Sequence, residues 1–162
     1  MNLNECKKEN SCWTITPSIP ITGDFIGADG AFRYKLSNET TTWYAAVSRC
    51  KEWGGELASF SNPALLKYVD EKIHGHYYWI GGSDREKEGQ WRWMDGSKTD
   101  WTNWAPKEPN GGRVANCLLI IKGAWHDVLC YKRRERFLCQ FKAKKICEIQ
   151  KWWKLSTTII LF

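Results

Sequence analysis

The amino-acid sequence predicts one α+β domain, comprising residues 31–142 and stabilised by disulfide bonds. Two amphipathic helix patterns occur early in that range, and short aromatic-rich strand patterns follow them. Seven cysteines, widely separated and without a CxxC pair, favour a disulfide framework formed in an oxidising compartment. The 162 residues leave room for a loop-rich N-terminal extension (1–30) and a basic, apolar C-terminal tail (143–162).

The first helix is predicted between Thr42 and Trp53. A threonine at 41 or 42 can cap its start, and two glycines follow its end. The second helix begins at Ser61-Asn62-Pro63, where proline suits the first turn, and stops at Gly75. Its apolar stripe consists of Leu65, Leu66, Val69 and Ile73.

Strand patterns replace the helical period after residue 75. They surround a long segment, residues 95–116, which is rich in Gly, Pro, Asn and Trp. A loop of that length inside a compact domain is usually functional. The predicted strands, including one before the first helix, are Ala31–Leu36, Tyr77–Gly81, Gln90–Met94, Cys117–Ile121, Ala124–Cys130 and Arg136–Phe141.

The net charge of +6 is unevenly distributed along the chain. Residues 131–162 carry nine basic and two acidic side chains, whereas the preceding 130 residues carry 15 basic and 16 acidic ones. A basic segment can bind a polyanion, although a solvated tail is the commoner outcome. Because the rest of the domain has no excess of positive charge, nucleic acid is not an expected partner.

Two kinds of sequence feature bear on the cellular location, and they point in opposite directions. The first ten residues, MNLNECKKEN, are polar and contain no apolar segment of the kind that a signal peptide requires. Residues 155–162 are apolar but too few to span a bilayer. The cysteines favour the secretory route, and Asn38-Glu39-Thr40 is a glycosylation acceptor that fits it. We therefore expect a secreted protein, or one on the extracellular side of the cell surface.

Six segments, in the right order between about Phe32 and Phe141, resemble the C-type lectin domain. Each segment is weak alone, but together they identify the family. The resemblance implies a C-type lectin-like fold with two helices, antiparallel strands and a long functional loop, and a ligand-binding module rather than an enzyme. The segments are WYAAVSRCKEWGGELASF (43–60), WIGG (79–82), EGQWRW (88–93) followed by DGS (95–97), NWAPKEPN (103–110), CLLIIKGAWHDVLC (117–130) and RFLCQF (136–141).

The resemblance also implies two disulfide bonds, Cys50–Cys139 and Cys117–Cys130. Each restrains the unfolded chain, which typically stabilises a domain by about 2–4 kcal/mol. Three cysteines remain outside the domain: Cys6, Cys12 and Cys147. Two of these three can pair, which two stays open, and the odd one is free or available to link two chains into an oligomer.

In sugar-binding relatives the long loop holds a calcium ion, whose oxygen ligands include hydroxyls of the sugar. The matching positions imply Glu108, Asn110 and Asp127 as calcium ligands. The same three residues and His126 are the implied carbohydrate-binding residues. An intact Glu-Pro-Asn accompanies mannose, fucose or N-acetylglucosamine in relatives, whereas Gln-Pro-Asp accompanies galactose. The expected partner is therefore a mannose-type carbohydrate or a glycoprotein.

Two positions depart from the family pattern. Ala115 replaces an acid two residues before Cys117, and His126 replaces an asparagine before Asp127. Imidazole is a poor ligand for a hard cation. We therefore expect calcium to bind weakly, with a backbone carbonyl at Asp127 and the side chain of Asn116 as additional oxygen ligands.

A second calcium site of some relatives is predicted to be lost. Asp84 and Glu88 match its pattern, whereas Gly111, Ala115 and Asn116 occupy its other positions. We expect Asp84 and Glu88 to cap turns or to face solvent instead.

The main alternative is a calcium-independent module that recognises a protein or a sulfated polyanion. Such a module would bind its partner through Arg113 on the long loop and through three exposed tryptophans, namely Trp101, Trp104 and Trp125. It could instead use the basic cluster Lys132, Arg133, Arg134 and Arg136. Such tryptophans more commonly pack the domain, and such a cluster is more commonly a charged turn.

An enzyme is the less favoured alternative. His126 and Asp127 are adjacent, but no Ser or Cys nucleophile motif accompanies them. His74-Gly75-His76 could bind a transition metal, yet two close histidines at a helix end are more typical of polar surface.

Overall fold

The computed structural model describes residues 24–26, 32–60, 62–73 and 75–142. Most of the predicted N-terminal extension lies outside these residues. The C-terminal tail, His74 and the three cysteines Cys6, Cys12 and Cys147 also lie outside the described residues.

A strand occurs inside the segment that the sequence predicts as a loop-rich extension. This strand, β1 (Asp24–Ile26), pairs antiparallel with β2 (Phe32–Leu36). Its ladder depends on a partner strand, and local sequence patterns do not reveal such a partner.

The first helix, α1 (Trp43–Glu52), begins where it is predicted. Thr42 caps it, because Thr42 Oγ1 accepts a hydrogen bond from Ala45 N at 3.4 Å. The helix ends before Gly54, whose φ of 83° suits a residue without a side chain. The buried face of α1 carries Trp43, Ala46 and Cys50.

The second helix, α2 (Pro63–Ile73), also follows the prediction. Asn62 Oδ1 accepts a hydrogen bond from Leu65 N at 2.9 Å, and Pro63 occupies the first turn. Its buried residues are the predicted four: Leu65, Leu66, Val69 and Ile73. In the described part of the chain, neither helix has the length and apolar character needed to cross a membrane.

The remaining strands are β3 (Glu56–Leu57), β4 (Tyr78–Ser83), β5 (Arg92–Trp93), β6 (Cys117–Ile121), β7 (Ala124–Val128) and β8 (Arg136–Lys142). Their order is β1-β2-β8-β4-β6-β7, with β3 beside β8 and β5 beside β4. The fold class is the predicted α+β, with one correction. The strands β4 and β8 pair in parallel, Tyr78 opposite Arg136, because a long connection rather than a hairpin joins them.

The central strands are buried on both faces, since successive side chains point in opposite directions. Tyr78 and Ile80 belong to one hydrophobic cluster, which α2 covers. Trp79 belongs to a second cluster, which α1 covers. This two-sided burial makes β4 and β6 a rigid base for the loops that follow them.

Both disulfide bonds implied by the resemblance are present. Cys50–Cys139 joins α1 to β8, with Cα atoms 5.4 Å apart. Cys117–Cys130 joins the start of β6 to the segment after β7, with Cα atoms 5.2 Å apart. The second bond therefore closes the β6–β7 hairpin, which carries His126 and Asp127.

Candidate functional site

The long loop is fixed to β7 by backbone hydrogen bonds. Trp125 N donates to Asn103 O at 2.8 Å, and Ala105 N donates to Trp125 O at 2.9 Å. Trp125 is fully buried, so the loop rests on a rigid base. The Glu108–Pro109 peptide bond that follows is cis.

Asp127 holds the Glu-Pro-Asn turn against β7. It is buried, with 6% of its surface exposed. Its Oδ1 accepts a hydrogen bond from Asn110 N at 2.9 Å, and its Oδ2 accepts one from Gly111 N at 2.8 Å. Asp127 and Asn110 are thus neighbours, and both oxygens of the Asp127 carboxylate have partners within the protein.

Glu108 contacts His126. The distance from His126 Nδ1 to Glu108 Oε1 is 3.0 Å, and the two side chains are 25% and 12% exposed. The hydrogen bond requires a proton on His126 Nδ1 or on Glu108 Oε1. When the proton is on Nδ1, His126 donates and Glu108 accepts. All four predicted carbohydrate-binding residues therefore lie in one cluster, formed by the loop and β7.

The Glu108 carboxyl has a pKa above its ordinary value. Burial is the largest cause, and the nearby Asp127 carboxylate adds to it, whereas His126 lowers the pKa. Two carboxyl groups therefore share a partly dehydrated site, in which a cation or a proton stabilises the arrangement.

The carboxylate and amide oxygens of this site are of the kind that calcium prefers. Glu108 Oε2 is buried and has no hydrogen-bond partner among the described residues. Unsatisfied buried oxygens are costly, and a hard cation would satisfy them. The described residues contain no group of three His, Cys, Asp or Glu side chains that could hold a metal ion. Calcium would therefore also need the amide oxygen of Asn110.

Ala115 fills the place where relatives carry an acid. It is 4% exposed, and a side chain on Gly111 would overlap with the Ala115 methyl group. The loop backbone thus packs closely on a small residue. A longer side chain at position 115 requires the loop to move.

Asp84 caps a turn and Glu88 faces solvent, which are the two arrangements predicted for these residues. Asp84 is buried and caps a turn, because its Oδ2 accepts a hydrogen bond from Gly89 N at 2.9 Å. Burial is the main cause that raises the pKa of Asp84. Glu88 is exposed.

The tryptophans near the long loop pack the domain. Trp125 is fully buried, so the alternative that uses it as an exposed contact is wrong for this residue. Its ring centroid lies 5.4 Å from that of Trp93 and 5.9 Å from that of Trp104. Trp101 and Trp104 are half-buried, and Trp101 Nε1 donates to Phe60 O at 3.1 Å. Arg113 remains exposed.

The basic cluster occupies the turn before β8. Lys132 and Arg134 are exposed, and Arg133 forms an ion pair with Glu135 at 2.8 Å. Sequence reasoning did not place Thr40 or Tyr77 beside Arg136, although all three line one cleft. These residues are far apart in the chain, so no local pattern could have linked them.

The family model for the C-type lectin domain matches residues 39–141. A human relative, C-type lectin domain family 17, member A, is 38% identical over 102 residues, which cover 61% of this chain and 27% of that protein. The chain thus spans about a quarter of the length of this relative.

Solved structures show the same fold. The cow CD23 carbohydrate-recognition domain, in the presence of a GlcNAc2Man3 oligosaccharide, has a TM-score of 0.67 and 28% identity, covering 70% of this chain and 90% of its own. A calcium-independent type II antifreeze protein has a TM-score of 0.69 and 26% identity, covering 78% of this chain and 96% of its own.

C-type lectin domains are binding modules, so the prediction that the chain is not an enzyme is confirmed. The match extends over more than half of the residues, and it includes the long loop and both disulfide bonds. The chain belongs to the C-type lectin domain family.

Proposed function

We propose that this domain binds mannose-type carbohydrate at Glu108, Asn110, His126 and Asp127, with the help of a weakly bound calcium ion. The observation that carries the proposal is the convergence of these four residues. Asp127 accepts a hydrogen bond from Asn110 N at 2.9 Å, and His126 contacts Glu108 at 3.0 Å. Residues of the loop and of β7 thus form one polar surface.

Each residue has groups that suit a sugar hydroxyl. Glu108 Oε2 has no hydrogen-bond partner among the described residues. Asn110 is exposed, and its amide can both donate and accept. His126 uses Nδ1 toward Glu108, so its Nε2 is the ring nitrogen available to a ligand. Adjacent donors and acceptors of this kind match neighbouring hydroxyls on a pyranose ring.

Calcium would be held by Glu108, Asn110 and Asp127, with its other positions filled by sugar hydroxyls and water. When bound, it supplies a hard cation that orients two neighbouring hydroxyls. Glu108 and Asp127 already form hydrogen bonds within the protein, so calcium competes with those bonds. We expect a dissociation constant of about 10⁻⁴–10⁻³ M, the range of weak extracellular sites.

The intact Glu-Pro-Asn sequence supports the mannose-type preference. The cow CD23 domain, a structural neighbour, was solved in the presence of a mannose-containing oligosaccharide. The two disulfide bonds support a location in an oxidising compartment, and we propose a secreted protein or the extracellular side of the cell surface.

The test is sugar competition on a mannose-coated surface at millimolar calcium. Wild-type protein should be displaced by mannose rather than by galactose. The double variant Glu108→Gln/Asn110→Asp should reverse that preference, since the resemblance links Gln-Pro-Asp to galactose. Lys87→Gln, an exposed change elsewhere, is the matched control and should behave as wild type. Wild-type protein that binds neither sugar would contradict the proposal.

A further inference from the structure

We propose a second binding site, separate from the long loop: a cleft at the start of β8 that binds a sulfate group of a sulfated polysaccharide. Arg136, Thr40, His76 and Tyr77 line this cleft. Arg134 extends the positive surface beyond it, and Lys132 is exposed in the turn that precedes β8. None of these residues belongs to the proposed mannose site.

Long-range pairing brings three segments of the chain together at this cleft. Thr41 N donates to Glu135 O at 2.9 Å, and Glu135 N donates to Thr41 O at 3.0 Å. Tyr78 lies opposite Arg136 in the parallel pairing of β4 and β8. The residues beside these contacts therefore surround a cleft of about 330 Å³, which is large enough for a sulfate group and part of the sugar that carries it.

Among the described residues that line the cleft, the one carboxylate is already paired, which leaves the positive charge of Arg136 unopposed. Glu135 Oε1 accepts hydrogen bonds from Arg133 Nε at 3.0 Å and from Arg133 Nη2 at 2.8 Å. Arg133 therefore offsets the negative charge of Glu135. The side chains of Arg136, Lys132 and His76 form no hydrogen bond or ion pair with another residue in the described part of the chain.

The available groups match the oxygens of a sulfate ester. The guanidinium of Arg136 can donate two parallel N–H bonds to one anionic group. Thr40 is exposed and Tyr77 is 37% exposed, so each offers a hydroxyl donor. Arg134 Nη2 reaches Thr40 O at 3.4 Å, which keeps this arginine at the edge of the cleft.

The arrangement favours a polymer over a single anion. Arg134 is exposed at the edge of the cleft, where it can meet a further charge of the same ligand. Repeated negative charges along a polysaccharide match a positive cleft that has a positive rim. Because no part of this contact uses Glu108 or Asp127, binding should not depend on calcium.

The experiment measures binding of a fluorescent heparin fragment to the full chain at about 50 mM salt, with a calcium chelator present. Arg136→Gln and Arg134→Gln should each weaken binding by about tenfold, the loss expected for one charge-assisted contact. Lys87→Gln removes one exposed charge elsewhere and should change the affinity less than twofold. Glu108→Ala should have no effect, which separates this site from the mannose site.

Two ligand controls complete the test. Completely desulfated heparin should not bind, and raising the salt to about 300 mM should weaken heparin binding, because salt screens exposed charges. Equal losses in Arg136→Gln and Lys87→Gln would overturn the proposal, since they would indicate attraction by net charge alone. Equal binding to vesicles of anionic lipid would also overturn it. A thermal unfolding midpoint within about 2 °C of the wild-type value verifies that each variant is folded.

Discussion

His126 Nδ1 lies 3.0 Å from Glu108 Oε1, and this pair joins β7 to the long loop. Relatives that bind calcium have an asparagine at the position of His126, as the resemblance implies. An amide oxygen can bind calcium, whereas imidazole is a poor ligand for it. The pair therefore replaces one metal contact with a hydrogen bond inside the protein, and we infer that calcium has to compete with that bond.

Replacing His126 with alanine should lower the free energy of unfolding by about 1–3 kcal/mol, because it removes the partner of a largely buried carboxyl group. Urea unfolding in the presence of a chelator measures the change. His76→Ala is the control, since His76 is exposed and should cost less than about 0.5 kcal/mol. Equal stability of His126→Ala and wild type would show that the pair contributes nothing to the fold.

Restoring both family residues with Ala115→Glu/His126→Asn should strengthen calcium binding several-fold, because it adds a carboxylate and an amide oxygen. Without calcium, the same variant should be less stable than wild type. The new carboxylate lies near Asp127, and the close packing of Ala115 on Gly111 is lost. Titration calorimetry measures the affinity, and an unchanged value would exclude the proposed calcium ligands.

Asp84→Asn should change how stability depends on pH. Burial raises the pKa of Asp84 in the folded state, so between the unfolded and folded pKa values the folded state binds more protons. Wild-type stability therefore falls as pH rises from about 4, and this contribution becomes constant above the raised pKa. The asparagine variant has no carboxyl group to titrate at position 84. Its stability relative to wild type should therefore increase as the pH rises between the unfolded and folded pKa values of Asp84. Unfolding with chelator at several pH values measures this, and a difference that does not vary with pH would contradict it.

Removing one disulfide with Cys117→Ser/Cys130→Ser should destabilise the domain by about 3 kcal/mol, as expected for a loop of this size. It should also weaken mannose binding, because the bond closes the hairpin that carries His126 and Asp127. Chemical unfolding and the mannose-surface assay measure the two effects. Normal mannose binding by a fully folded double variant would show that the site does not depend on this closure.

The sequence predicts those features that depend on local chemistry. Thr42 and Asn62 cap the two helices because each side chain reaches an N–H three residues along the chain. The family resemblance correctly implies both disulfide bonds. It also proposes Asn110 and Asp127 as ligands, and the structure places these two residues in hydrogen-bond contact.

Other features depend on contacts between distant residues, and the sequence does not predict them. The hydrogen bonds from Asn110 and Gly111 to Asp127 require the folded loop to meet β7. The parallel pairing of Tyr78 with Arg136 requires the whole sheet. The burial of Trp125 depends on packing from several elements, and its residue type alone is equally compatible with an exposed contact.

The most direct test of the proposed function is calcium titration of the thermal unfolding midpoint, with and without mannose. A ligand that binds only the folded state raises the midpoint by mass action. We predict that calcium raises the midpoint at millimolar concentrations, and that mannose raises it further only when calcium is present. A midpoint that responds to neither calcium nor mannose would contradict carbohydrate binding at Glu108, Asn110, His126 and Asp127.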